Sequence, residues 1–426
     1  MLRFFYNLLF PVGFLFFLPG LIYKYRYRGG WKETFNERFG KFTPERKKEL
    51  ENFRNGVWIH AVSVGETVVA LSLIKKWSAQ HPGQKFVIST TTTTGQELAR
   101  KQCPENAAVI FCPIDFNYMV KKTFKVLEPA QLVIFETEIW PNLICEAKKR
   151  GIPVALVNGR MSDHSAAGYR RFKMCFGPLL RCFDKILVQT QTDADRYLSV
   201  SPKAAVQVGG NIKFDQSVPE NIPDPGLDSY FGTEKRTVIL AASTHPGEEA
   251  LIAGVFKQLK EKHAGLNLVI VPRHAERGGE IAEMLTEKGL SHIRRSTGNA
   301  PDAPVDVLLA DTTGEMFKFI NAADIVIMGK SLAGHDEGHN LIEPALLDKP
   351  IITGSVLRNF RFTLNVLVEA QGVITVSDDN MLLTQLETLS TDPELRQALG
   401  KRGGDAIRQH AGAADLTIRE LTALLQ

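Results

Sequence analysis

VWIHAVSVGETVVALSLIKKWSAQ, Val57 to Gln80, is the stretch that decides the fold. Its first six residues are β-rich and apolar on both faces, as a strand covered by helices on each side must be. From Thr67 to Gln80 the period changes: Val68, Leu71, Ile74 and Trp77 fall on one broad helical stripe. A buried strand, a short polar loop and an amphipathic helix make one βα unit, and the rest of the chain repeats it. Further strands are expected at KFVIST (85–90), AVIFCPI (108–114), AQLVIFE (130–136), IPVALVN (152–158), DKILVQ (184–189) and AAVQVGG (204–210).

At 426 residues the chain is too long for one core to be the default. A polar, Pro-rich stretch over 215–236 breaks the alternation and reads as an interdomain connection. The pattern then restarts with TVILAAS (237–243), a helix from Glu248 to Lys262, NLVIVPR (267–273), VDVLLAD (305–311), ADIVIMG (323–329) and KPIITGS (349–355). The expected architecture is α/β: two facing, doubly wound, Rossmann-like domains, with ligands beyond the carboxyl ends of the strands and in the cleft between the domains. The boundaries are 1–23 for a membrane-associated segment, 24–215 for the first domain, 216–236 for the linker and 237–405 for the second domain. A helical tail follows over 406–426, with packing back on the first domain as one option.

Residues 4–23 contain no charged side chain, and twenty helical residues suffice to cross a hydrocarbon core of about 30 Å. Pro11 and Pro19 interrupt the run, so a bent span and an interfacial hairpin both stay open. Lys24, Arg26, Arg28, Lys32, Arg38, Lys41, Arg46, Lys47 and Lys48 follow; if the run is membrane-associated, this asymmetry keeps the body of the protein cytoplasmic, beside anionic headgroups, the alternative being a buried helix followed by a solvated face. The whole chain carries only +4, from 51 Lys and Arg against 47 Asp and Glu, which gives no footing to nucleic-acid binding. Five cysteines without a C-x-x-C pair argue against structural zinc and a disulfide framework.

The loops after the strands carry the chemistry. In HAVSVGE, Gly65 can relieve a tight turn, and Glu66 lies near the positive end of a helix, beside Ser63. VSVGE is not the G-x-S-x-G elbow of a hydrolase. TTTTGQE (91–97) offers hydroxyls, Thr94 among them, and ETEIWPN (136–142) offers Glu136 and Glu138, which strand alternation would put on one side. In the second half, STHPGEE (243–249), PRHAERGGE (272–280) and DTTGEM (311–316) are three strand-to-helix turns in one domain. Among them Arg273 is suited to grip phosphate through its planar fork. MGKSLAGHDEGHNLIEPALL (328–347) brings glycines whose backbone N–H groups can approach a phosphate, with Lys330, Ser331, His339 and Asn340 as donors and Glu343 as an acceptor for ribose hydroxyls. It is neither a Walker A loop nor a dinucleotide fingerprint, and the four-residue spacing of His335 and His339 across glycine is poor support for zinc.

Taken together, HAVSVGE, ETEIWPN, VNGRMSD, VGGNIKFD, PRH, DTTGEM and GKSL…GHNLIEP, in that order behind an apolar amino terminus, resemble the 3-deoxy-D-manno-octulosonic acid (Kdo) transferases of lipopolysaccharide assembly. The resemblance spans nearly the whole chain. It implies a GT-B-type inverting glycosyltransferase at the cytoplasmic face of the inner membrane, using CMP-Kdo and a lipid A precursor, with no cofactor and no protein-bound catalytic metal. It implies an acceptor-binding first domain and a CMP-Kdo-binding second domain. Residue by residue, it puts the general base on Glu66, with Ser63, Gly65, Thr94, Glu136 and Glu138 on the acceptor side or orienting the base. Donor binding falls to Pro272, Arg273, His274, Asp311, Gly314, Glu315, Met316, Gly329, Lys330, Ser331, His339, Asn340 and Glu343.

Two departures stand out: the family loop resembles GGSL where this chain has GKSL, and GGHN where it has EGHN. The competing functions are a nonenzymatic nucleotide-binding membrane scaffold, which leaves both sets of loops without a role, and a soluble sugar-nucleotide epimerase, against which the apolar amino terminus argues.

Overall fold

The structure, a computed structural model, describes residues 6–16, 36–216, 218–219 and 221–426. Backbone contacts divide the chain into two units, Met1–Asp215 with Ala411–Gln426, and Gln216–His410. The first is built on β1 (Val57–His60), β2 (Phe86–Thr90), β3 (Ala107–Phe111), β4 (Gln131–Phe135), β5 (Val154–Gly159), β6 (Lys185–Val188) and β7 (Val206–Val208). They form one parallel sheet in the order β3-β2-β1-β4-β5-β6-β7. Both faces are covered, and alternation along β1 shows how: Val57 and Ile59 enter one apolar cluster, Trp58 the other. The order reverses between β1 and β4, so the loops that leave these two strands part company and open a crevice at their carboxyl ends.

The second unit repeats the plan with β8 (Thr237–Thr244), β9 (Leu266–Pro272), β10 (His292–Arg294), β11 (Val307–Leu309), β12 (Ile325–Met328), β13 (Ile351–Gly354) and β14 (Ile374–Val376). Its order is β10-β11-β9-β8-β12-β13-β14, with the reversal between β8 and β12. The edge strands β10 and β14, three residues each and only partly buried, were not among the expected strands. These two parallel sheets with their covering helices are the arrangement of a GT-B-like fold.

The helix Ala413–Ala423 belongs to the first unit, where Ala413, Ala414, Ile418 and Leu421 enter the core and Asp215 accepts the N–H groups of Gly412 and Ala414 at 2.7 and 2.9 Å. Of the connection expected over 215–236, Leu227 and Phe231 are buried, and Tyr230 accepts the Val305 N–H at 3.0 Å within the second unit.

Residues 6–16 are helical, and Pro11 lies inside that helix instead of interrupting it. Contacts on both sides of the proline hold it: Asn7 and Asn142 exchange amide hydrogen bonds of 2.8 and 3.1 Å, and Phe10 and Phe14 pack edge-on against Phe116. Leu8, Leu9, Val12, Leu15 and Phe16 stay exposed. Among the described residues no helix is long and apolar enough to cross a membrane. Pro19 and the basic residues Lys24, Arg26, Arg28 and Lys32 lie outside the described residues.

Candidate functional site

In the first unit the crevice between β1 and β4 gathers three carboxylates. Ser63 caps the helix Val64–Gln80, its hydroxyl accepting the Glu66 N–H at 3.2 Å. Glu66 answers in the manner of a capping box: its carboxylate accepts from the Val62 N–H at 2.9 Å and from the Ser63 hydroxyl at 2.8 Å. The side chain is buried, and that burial raises its pKa, as does the neighbouring Glu136; the two hydrogen bonds oppose them.

Strand β4 ends at Phe135, and Glu136 already has φ of 54°. The strand alternation expected to align Glu136 and Glu138 is therefore absent; a left-handed turn brings them round. Glu136 is buried between Lys213 at 3.3 Å and Arg160 at 3.0 Å, two cations that the sequence reading left without a role although both lie in quoted motifs. Glu138 accepts from the Trp140 indole at 2.9 Å, and its pKa is raised by burial and then by Glu66 and Glu136.

Gly65 relieves no tight turn. It sits in the helix's first turn, exposed, without a positive φ, and a Cβ there would meet only the Ser63 hydroxyl, at 3.9 Å. Thr94 is exposed in the first turn of the helix Thr93–Gln102, whose cap is Thr92.

In the second unit the reversal point between β8 and β12 is organised by a residue the sequence reading passed over. Glu248, fully buried, accepts four backbone N–H groups: His245 at 2.9 Å, Lys330 at 2.7 Å, Ser331 at 2.9 Å and Leu332 at 2.8 Å. At the start of the glycine-rich 328–347 segment the backbone N–H groups of residues 329–332 are already engaged within the protein. Gly329 bonds the Ala242 carbonyl, and the next three N–H groups turn inward to a carboxylate that already satisfies them. Ser331 is likewise engaged, donating to the Met328 carbonyl at 2.7 Å and accepting from Gly354 at 3.0 Å. Gly329 is required, since a Cβ would lie 2.5 Å from the Ser243 carbonyl oxygen. Lys330 has φ of 61°, the left-handed region that favours glycine, and its ammonium is 3.7 Å from Glu337.

The other turns of this unit divide between scaffold and mouth. Asp311 is buried and bound by Arg294 at 2.8 Å and by the backbone and hydroxyl of Ser296, while Glu315 pairs with Arg295, Lys318 and the Thr312 hydroxyl. The Arg295 hydrogen bond leads in holding Glu315 down to about 2. Gly314, with φ of 84°, is exposed, and Met316 is half-buried at the start of the following helix. Pro272 ends β9, whereas Arg273 and His274 are exposed. Asn340 donates to Glu343 at 3.1 Å, and burial raises the Glu343 pKa. His339 Nε2 is 3.0 Å from His245 Nε2, and burial, then His245 and Arg273, lower the His339 pKa to about 4. Among the described residues no group of three or more His, Cys, Asp or Glu side chains is placed to hold a metal ion.

A family model described as 3-deoxy-D-manno-octulosonic-acid transferase matches residues 33–216. A protein of Haemophilus influenzae named 3-deoxy-D-manno-octulosonic acid transferase is 32% identical over 362 residues, covering 84% of each chain. One of the same name from Bordetella pertussis is 31% identical over 404 residues, covering 92% of each. Among solved structures, UDP-GlcNAc 2-epimerase of Neisseria meningitidis superimposes with a TM-score of 0.57 at 14% identity, covering 86% of this chain and 100% of that one, a likeness of fold alone.

Proposed function

Since the chain belongs to the 3-deoxy-D-manno-octulosonic acid transferase family, we propose that its reaction, transfer of Kdo from CMP-Kdo to a lipid A precursor, proceeds by direct inversion with Glu66 as general base. The observation that carries this is the buried Glu66 carboxylate, fixed by Val62 and Ser63 at the reversal point of the first sheet. Burial makes it a stronger base than a solvated carboxylate, while the hydrogen bonds from Val62 and Ser63 favour its ionised form. A hydroxyl of the phosphorylated, acylated glucosamine disaccharide gives its proton to Glu66. The oxygen then bonds the anomeric carbon of Kdo, and the bond to phosphate breaks with its electron pair leaving on CMP. Glu136, clamped by Lys213 and Arg160, and Glu138 hold the acceptor side, with Ser63, Gly65 and Thr94 at its rim. The first unit is the acceptor domain and the second the donor domain.

On the donor side, Arg273 and Lys330 meet the phosphate charge, a task assigned here to side-chain cations and not to a metal. Glu343, with His339 and Asn340, receives the nucleotide ribose and shapes its pocket; Pro272, His274, Asp311, Gly314, Glu315, Met316, Gly329 and Ser331 position these loops. The exposed apolar face of the 6–16 helix lies in the cytoplasmic leaflet of the inner membrane, next to the basic cluster and the lipid substrate. The test is mass analysis of products from the detergent-solubilised protein, a defined lipid A precursor and CMP-Kdo. Discrete Kdo additions to the lipid are expected; no addition by folded protein with both substrates delivered would refute the function.

A further inference from the structure

His245, in the loop after β8, has no part in the donor binding proposed above, yet it is the centre of a group of imidazoles that includes His339 and His274. Its ring centroid is 5.9 Å from that of His274, 5.6 Å from that of His335 and 5.2 Å from that of His339, whose plane is inclined to its own by 24°. The Nε2 atoms of His245 and His339 are 3.0 Å apart.

A hydrogen bond between two imidazoles joins one N–H to one bare nitrogen. In the neutral pair, one ring therefore carries its hydrogen on Nε2 and leaves Nδ1 bare, while the other does the reverse. Of the two outward Nδ1 atoms, one donates and one accepts. One added proton fills the bare Nδ1, so the pair then presents two donors and a positive charge with its internal bond intact. A second would set N–H against N–H across 3.0 Å, so the pair has room for one proton only. Among the described residues neither Nδ1 has a hydrogen-bond partner.

Burial keeps both rings below the ordinary histidine range, and Lys330, Arg273, His274 and His335 add to it; Glu248 and Glu337 act in the opposite direction. Both effects favour the neutral pair in the free protein. CMP-Kdo brings a phosphodiester and a carboxylate, two negative charges that reverse this balance.

We infer that His245 and His339 form a proton-accepting pair that takes up one proton when the dianionic donor binds and then presents two N–H groups to it. The inference rests on the proposal that the second unit receives CMP-Kdo. By linkage, donor affinity weakens as pH rises, by up to about tenfold per pH unit wherever the free pair is neutral and the bound pair protonated. Fixed charges alone, Arg273 and Lys330, would give an affinity flat through neutrality.

The experiment is calorimetric titration of the full chain with CMP-Kdo, without acceptor, near neutral pH in buffers of different ionisation enthalpy. Uptake approaching one proton per donor is expected, with His245→Gln and His339→Gln each still binding, more weakly, and without that uptake. Either variant carries the test if the other fails to fold. Binding without proton uptake would overturn the pair's role and leave the donor assignment standing, and undiminished uptake in the variants would put the proton elsewhere. No binding by the folded parent protein would overturn the donor assignment, and the inference with it.

Discussion

The Glu248 carboxylate receives the Lys330 N–H at 2.7 Å, the shortest of four such bonds, three of which join the loop after β8 to the loop after β12. An anion built into the protein thus occupies the nest that a nucleotide phosphate takes in other glycine-rich loops. Replacing it by an amide keeps one acceptor oxygen and sets an NH2 group against buried N–H donors. Glu248→Gln is expected to cost about 2–4 kcal/mol of stability, read by denaturant unfolding. The KM for CMP-Kdo should rise with the KM for the lipid unchanged.

Lys330 is held in the left-handed region at φ 61°, at a cost of roughly 1 kcal/mol for a residue with a Cβ. Lys330→Gly removes that strain, so the variant should unfold at equal or higher denaturant concentration. It also removes an ammonium from beside His245 and His339, and donor affinity should fall while stability does not. Lower stability in Lys330→Gly would show that the side chain's contact with Glu337 outweighs the backbone strain.

The pH dependence of transfer has a defined sign. Burial and then Glu136 raise the Glu66 pKa, and a base must be ionised to act, so the acid limb of kcat/KM should lie above the ordinary glutamate value of about 4.3. Glu136→Gln removes the negative neighbour that helps to raise the Glu66 pKa. The acid limb should then move to lower pH, as measured under subsaturating substrate.

Helix 6–16 turns Leu9 and Phe16 outward at 64% and 82% exposure. Burying each in a bilayer is worth about 1.5–3 kcal/mol. Leu9→Glu with Phe16→Glu should therefore cut binding to vesicles containing anionic lipid by at least about tenfold, with circular dichroism and CMP-Kdo binding unaltered.

Much of the fold was legible because buried parallel strands carry continuous apolar runs such as Val57 to Ile59 and Leu132 to Phe135, each followed by a polar turn. What escaped was short or left-handed. The strands His292–Arg294 and Ile374–Val376 lie at the sheet edge, only partly buried, and neither forms a continuous apolar run. Glu136 turns by a positive φ that no side-chain pattern announces. The site was legible as a set of loops, not as a set of contacts. Lys213, Arg160, His245 and Glu248 stood in quoted motifs, but their partners are 77, 24, 94 and about 82 residues away in sequence; Arg160 meets Glu136 because β5 lies beside β4, and His245 and Glu248 meet theirs because the strand order reverses between β8 and β12.

The most direct measurement is the single-turnover rate of Kdo transfer by Glu66→Gln, made on protein shown by unfolding and by CMP-Kdo binding to match the parent chain. The amide keeps the size of the side chain but cannot take the acceptor proton, so the rate should fall by roughly 10²–10⁴-fold with donor affinity retained. A Glu66→Gln protein that transfers Kdo at the parent rate would show that the base is another group and that Glu66 is only the cap of its helix.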